Sequence, residues 1–125
     1  MAGAKMDGAG IAKMNTLDEG LAQLQSIHGT IEQWAMALKR NQPGSMYTMK
    51  LRRSIPTLAA ALKGHFGMIS DQVTAMHLIT GRGGADAMKI RGLREGVAQV
   101  RTALEIAVAQ TKAKHEIHEE ESTKG

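Results

Sequence analysis

Cysteine is absent from the 125 residues, which excludes a disulfide framework, a thiolate zinc site and a cysteine nucleophile. Aromatic residues are nearly absent as well: Trp34, Tyr47 and Phe66 are the whole complement. A core must then be built from Leu, Ile, Val, Ala and nine methionines, a mixture that suits helices packed side by side better than a β-branched, aromatic-rich sheet. No apolar run approaches the roughly 20 residues that span a bilayer. Residues 1–13 lack the continuous apolar segment of a secretory signal, so a cytoplasmic protein with no membrane partner is expected. The length suits one domain with a real core.

What is present is helical periodicity. Between Asp86 and Thr111, Ile90, Leu93, Val97, Val100, Leu104 and Val108 recur at spacings of three and four, which lines one face of a helix. Upstream, Leu17, Leu21, Leu24, Ile27, Ile31, Trp34 and Leu38 keep the same spacing. Thr16-Leu17-Asp18-Glu19 reads as a capping box that starts this first helix, and Gln42-Pro43-Gly44 ends it near Asn41. A third stripe runs from Leu51 through Ile55, Leu58, Leu62, Phe66, Ile69, Val73 and Met76 to Ile79, interrupted by Pro56, where a kink or break is expected with the main helix from Pro56 to Thr80. Gly81-Arg82-Gly83-Gly84 makes the next turn, and Asp86 caps the last helix.

These segments predict an all-α fold: an antiparallel three-helix bundle, up, down, up, over residues 16–114. A flexible glycine-containing arm over 1–15 would precede it and an acidic, fraying tail over 115–125 would follow. The expected core is Leu21, Leu24, Ile27, Ile31, Trp34, Leu38, Leu58, Leu62, Phe66, Ile69, Val73, Met76, Ile90, Leu93, Val97, Val100 and Leu104.

Two surfaces follow from that arrangement. On the last helix Gly92, Gly96, Ala103 and Ile106 fall beside the main stripe and present little side chain, so another helix can approach closely. Its source is either another helix of the same bundle or a second copy, which would make these four residues an oligomer interface. The other surface is electrostatic. Net charge is +4, but four glutamates against one lysine in the last eleven residues leave +7 on residues 1–114. An up-down-up bundle would gather Lys39, Arg40, Lys50, Arg52, Arg53, Lys112 and Lys114 at one pole, with Arg82, Lys89, Arg91 and Arg94 near the other. Such a cluster suits phosphate contact and so nucleic acid or another polyanion, with the glutamate tail as an internal competitor.

Catalytic patterns are weaker. His115-x-x-His118 with Glu119 has the spacing of a surface metal site on a helix, but a solvated polar face explains it, and no metal is assigned. His28, His65 and His77 are scattered, and no glycine-rich loop follows a strand. Leu62-Lys63-Gly64 resembles the tripeptide after the phosphoryl-accepting histidine of histidine phosphotransfer domains. Ala60 stands where that family has its histidine, so no phosphorelay chemistry and no family are assigned. The expectation is a non-enzymatic scaffold protein without a cofactor, which self-associates or docks to a protein partner through helical faces; the alternative is a nucleic-acid-binding accessory subunit.

Overall fold

A computed structural model describes residues 4–118, with side chains over 6–115. It contains four helices, α1 (Gly8–Lys39), α2 (Ser45–Lys63), α3 (Gly67–Gly81) and α4 (Asp86–His115). Two three-residue strands, β1 (Ala4–Met6) and β2 (Glu116–His118), pair antiparallel with Ala4 opposite His118. The all-α class is as expected, but the bundle has four helices and not three.

The extra helix comes from a reversal at residues 64–66, not from Pro56. α2 runs unbroken through Pro56, which sits on the exposed side, so the Arg52 carbonyl deprived of its amide donor faces water. The chain turns back after Lys63. The Phe66 amide donates to the Leu62 carbonyl at 2.7 Å, and Ser70 Oγ donates to the Ala59 carbonyl at 2.7 Å, a buried bond that fastens α3 against α2. The apolar stripe hides this reversal, since each arm of a helical hairpin keeps its own buried face and Phe66 happens to fall in register between them.

Residues 8–15 are helical as well, and here the expected flexible arm is replaced by the first two turns of α1. Asp7 is the N-cap: its Oδ1 accepts the Gly10 amide at 2.7 Å. Gly10 supplies close approach, because a Cβ there would lie 2.6 Å from His115 Cβ of α4. Thr16, expected as the cap, lies inside the helix and donates its hydroxyl back to the Ala12 carbonyl at 3.1 Å. At the far end α1 stops at Lys39, and Asn41 takes the left-handed conformation (φ 55°) that turns the chain toward α2.

With four helices the order is up, down, up, down, and α4 lies antiparallel beside α1. The register is marked along their length: Arg94 meets Glu32, Arg101 meets Gln25, and His115 meets Asp7. α1 has 32 residues and α4 has 30, against 19 and 15 in α2 and α3, so the two outer helices outrun the inner hairpin. Gly20 marks the step, since a Cβ there would meet Leu62, Leu104 and Leu58 near the bottom of α2. Above Gly20 the molecule is a four-helix head. Below it, α1 and α4 continue as a two-helix stem, closed at its end by the β1–β2 ribbon.

The head core is Leu24, Ile27, Ile31, Trp34, Leu51, Ile55, Leu58, Leu62, Val73, Met76, Leu93, Val97, Val100 and Leu104, all 2% exposed or less. Leu21 and Phe66 are only partly buried at its edge, and Leu38, expected inside, is 37% exposed at the tip of α1. Trp34 packs beneath Gly44, where a Cβ would collide with the indole ring. That contact explains the glycine in the α1–α2 turn.

Candidate functional site

The reversal moves every charge on α4. Lys39, Arg40, Lys50, Arg52 and Arg53 do gather at the head end, but Lys112 and Lys114 lie at the stem end, beside Asp7 and Lys13. The separation is most of the length of α1, about 48 Å at 1.5 Å per residue. The head instead receives Arg82 from the α3–α4 turn and Lys89, Arg91 and Arg94 from the first turns of α4, the set expected at the opposite pole. Glu119, Glu120 and Glu121, expected as internal competitors, lie outside the described residues.

Within the head, the outer face of α2 is the most one-sided surface. Leu51, Ile55, Leu58 and Leu62 point inward, which leaves Met46, Met49, Lys50 and Arg53 together on the opposite side around one shallow depression. Met46 and Met49 are 68% and 63% exposed. The chain carries no Asp or Glu between Glu32 and Asp71, so this face has no internal counter-charge. Among the described residues, Lys50, Arg52 and Arg53 make no ion pair. The cations of α4 differ. Arg94 forms a two-point hydrogen bond to Glu32 (2.7 and 2.8 Å), which holds the Glu32 carboxyl below its usual range and raises the guanidinium, and Arg91 approaches Glu95 at 3.8 Å.

The small-residue face of α4 is divided. A Cβ on Gly92 would meet Ile79, and one on Gly96 would lie 2.6 Å from Met76 Cγ, so both glycines seat α3 of the same chain and leave no room there for a second copy. Ala103 and Ile106 lie beyond that contact. They line a cleft of about 500 Å³ at the step between head and stem, under the α2–α3 turn. Phe66, Ile69, Ala103 and Ala107 form its apolar floor, and the exposed side chains of Met68 (84%) and Ile106 (52%) stand on either side. Its rim carries Lys13, His65, Lys114 and His115.

At that rim, Lys13 Nζ lies 3.2 Å from His115 Nε2, while His115 Nδ1 lies 3.2 Å from Asp7 Oδ1. An ammonium has only donors, so Nε2 accepts and the ring proton sits on Nδ1, donating to Asp7. Asp7 is held below the usual carboxylate range, first by the Gly10 amide and then by His115. The expected His115-x-x-His118 helical face does not form. α4 ends at His115 and the chain is extended from Glu116, which breaks the three-residue spacing, and Glu119 lies outside the described residues. Among the described residues no group of three potential metal ligands converges. His28 lies beside Glu32 on α1, while His65 and His77 sit in the α2–α3 turn and on α3, well apart.

Sequence reasoning missed this cleft. Its residues come from α1, the α2–α3 turn, α3 and α4, and only the turn at residues 64–66 brings them together. The flanking glycines, Gly64 and Gly67, were the available signal. No family model, curated protein or solved structure matches the chain, and no helix of the described residues is long and apolar enough to cross a membrane.

Proposed function

We propose that this chain is a non-enzymatic interaction module that docks through the outer face of α2 onto an acidic surface of a protein partner in a larger assembly. The observation that carries this reading is the grouping of Met46, Met49, Lys50 and Arg53 on a face without a carboxylate of its own. Methionine is flexible and polarizable and adapts to an apolar partner surface, while the cations steer an acidic partner and fix its register. Exposed apolar side chains are ordinary one at a time, but two within a turn, ringed by uncompensated cations, form a patch.

Heparin provides a generic polyanion for the first test. Lys50→Glu with Arg53→Glu should lower the salt needed for elution markedly more than Lys112→Glu with Lys114→Glu, which removes the same formal charge from the stem. Equal effects of the two pairs would reduce the face to bulk net charge and end the proposal. Replacing Met46 and Met49 by Gln should leave heparin retention unchanged, because their part is contact with an apolar partner surface.

A second reading, nucleic-acid binding, draws support from the number of cations at the head end, where Lys39, Arg40, Arg82, Lys89 and Arg91 share that end with the α2 cations. Against it stand the few aromatics available to stack on bases. Titration of DNA and RNA at two salt concentrations decides it: neutralising Arg52 and Arg53 should make the salt slope shallower by about two. Self-association, the remaining part of the scaffold expectation, has lost Gly92 and Gly96 to α3 and rests on Ala103 and Ile106 alone.

A further inference from the structure

We propose that the cleft between head and stem binds an amphipathic carboxylate, with an acyl chain on Phe66, Ile69, Ala103 and Ala107, between Met68 and Ile106, and its carboxylate on the Lys13 ammonium. This site is separate from the α2 face and stands independently of it. Its volume, about 500 Å³, falls inside the roughly 300–1,000 Å³ of small-ligand sites, and its make-up has their usual form, an apolar floor with a few polar groups at one end.

Charge selects the anion. The cleft is lined by two lysines and two histidines and by no carboxylate. Lys13 is half-buried and held in place, since one of its three N–H groups is used on His115 Nε2 and the others remain for a ligand. Among the described residues, no carboxylate lies within ion-pair distance of it. His115 stands between Lys13 and Asp7, so the carboxylate attracts the ammonium only through space and the remaining Lys13 N–H donors stay available at the rim.

The apolar floor also argues for an occupant, and the same charges decide which. A second copy of a chain with net charge +4 brings no surplus of carboxylates to the two lysines at the rim. A fatty carboxylate covers the same floor and neutralises the rim instead. Met68 is free to fold over its chain.

The test is a methionine-methyl NMR titration of the full chain with decanoate and, separately, with decanol. Saturable movement of the Met68 resonance with decanoate is expected, while Met46 and Met49, also exposed but remote, stay in place. Lys13→Gln should weaken decanoate by about tenfold and decanol hardly at all, since only the carboxylate uses the ammonium. Ile106→Asp, at a 52% exposed position, should abolish both without loss of helical circular dichroism. The proposal is overturned by any of three results. One is an unmoved Met68 at about 1 mM decanoate, weaker than any useful site. Another is equal movement of Met68, Met46 and Met49, which would be detergent-like adsorption. The third is a Met68 shift driven by protein concentration alone, which would put a second copy in the cleft.

Discussion

Gly92 and Gly96 sit one turn apart on α4, and alanine at each should have opposite effects on stability. In a helix interior, Gly→Ala gains about 1 kcal/mol from reduced backbone freedom in the unfolded chain. At Gly92 the new methyl would find Ile79 Cδ1 at 3.4 Å, the far end of a flexible side chain, so most of that gain should survive. At Gly96 it would find Met76 Cγ at 2.6 Å and Sδ at 3.2 Å, on a side chain only 2% exposed and packed in the core. Met76 must then move as a whole or α3 must shift, and overpacking of this kind costs about 1–3 kcal/mol. The net expectation is Gly92→Ala more stable by about 1 kcal/mol and Gly96→Ala less stable by up to about 2 kcal/mol. Urea unfolding followed by circular dichroism reads both, at two protein concentrations twentyfold apart. Equal effects, or a Gly96→Ala midpoint that depends on concentration, would refute the reasoning, since the second result means that another chain and not α3 covers this face.

Leu104→Ala should cost about 2–5 kcal/mol, as it opens a cavity where Gly20, Leu58 and Leu62 meet, whereas Leu38→Ala at the exposed tip of α1 should change stability by about 0.5 kcal/mol or less; both are read from the same unfolding curves. Ser70→Ala removes the buried bond to the Ala59 carbonyl and should cost about 1 kcal/mol, with faster hydrogen exchange at the start of α3 than at its end. Glu32 has its carboxyl pKa depressed by the Arg94 hydrogen bonds, so its contribution is present above the unfolded value of 4.5 and is lost as pH falls through the folded one. The pair is nearly half exposed, so Glu32→Gln should cost less than about 1 kcal/mol at pH 7 and progressively less as the pH falls through the folded value, checked by the urea midpoint along an acid series.

The elements themselves were largely legible. α4 begins at Asp86, expected as its cap, although the Ala85 carbonyl takes the capping place by accepting the Lys89 amide; α1 stops within two residues of the expected place, and most of the expected core residues are enclosed. Periodicity reports which face of a helix is buried, and that survives any rearrangement of the helices. Boundaries set by tertiary contact were not legible. Gly8 and Gly10 argue against helix on local grounds, yet Gly10 is where the stem helices touch, and only the presence of His115 across the contact gives it that purpose. Leu38 shows the converse, since it continues the stripe of α1 beyond the point where α2 still covers it.

The largest error has a simpler cause. In an antiparallel bundle each turn reverses the direction of everything downstream, so one unrecognised turn leaves each helix correct and every pole assignment after it inverted. Pro56 drew the break because proline is a strong local signal, but on the water-facing side of α2 its missing amide strands no buried carbonyl. The turn was made at Gly64–Phe66, where the local signal is weak and the tertiary reward, the Ser70–Ala59 bond and the closure of the hairpin, is strong. Both candidate surfaces follow from that parity. It brings Arg82, Lys89 and Arg91 to the same end of the bundle as the α2 cations, and it sends Lys114 and His115 down to meet Lys13 beneath the hairpin, where the short inner helices end and the cleft opens.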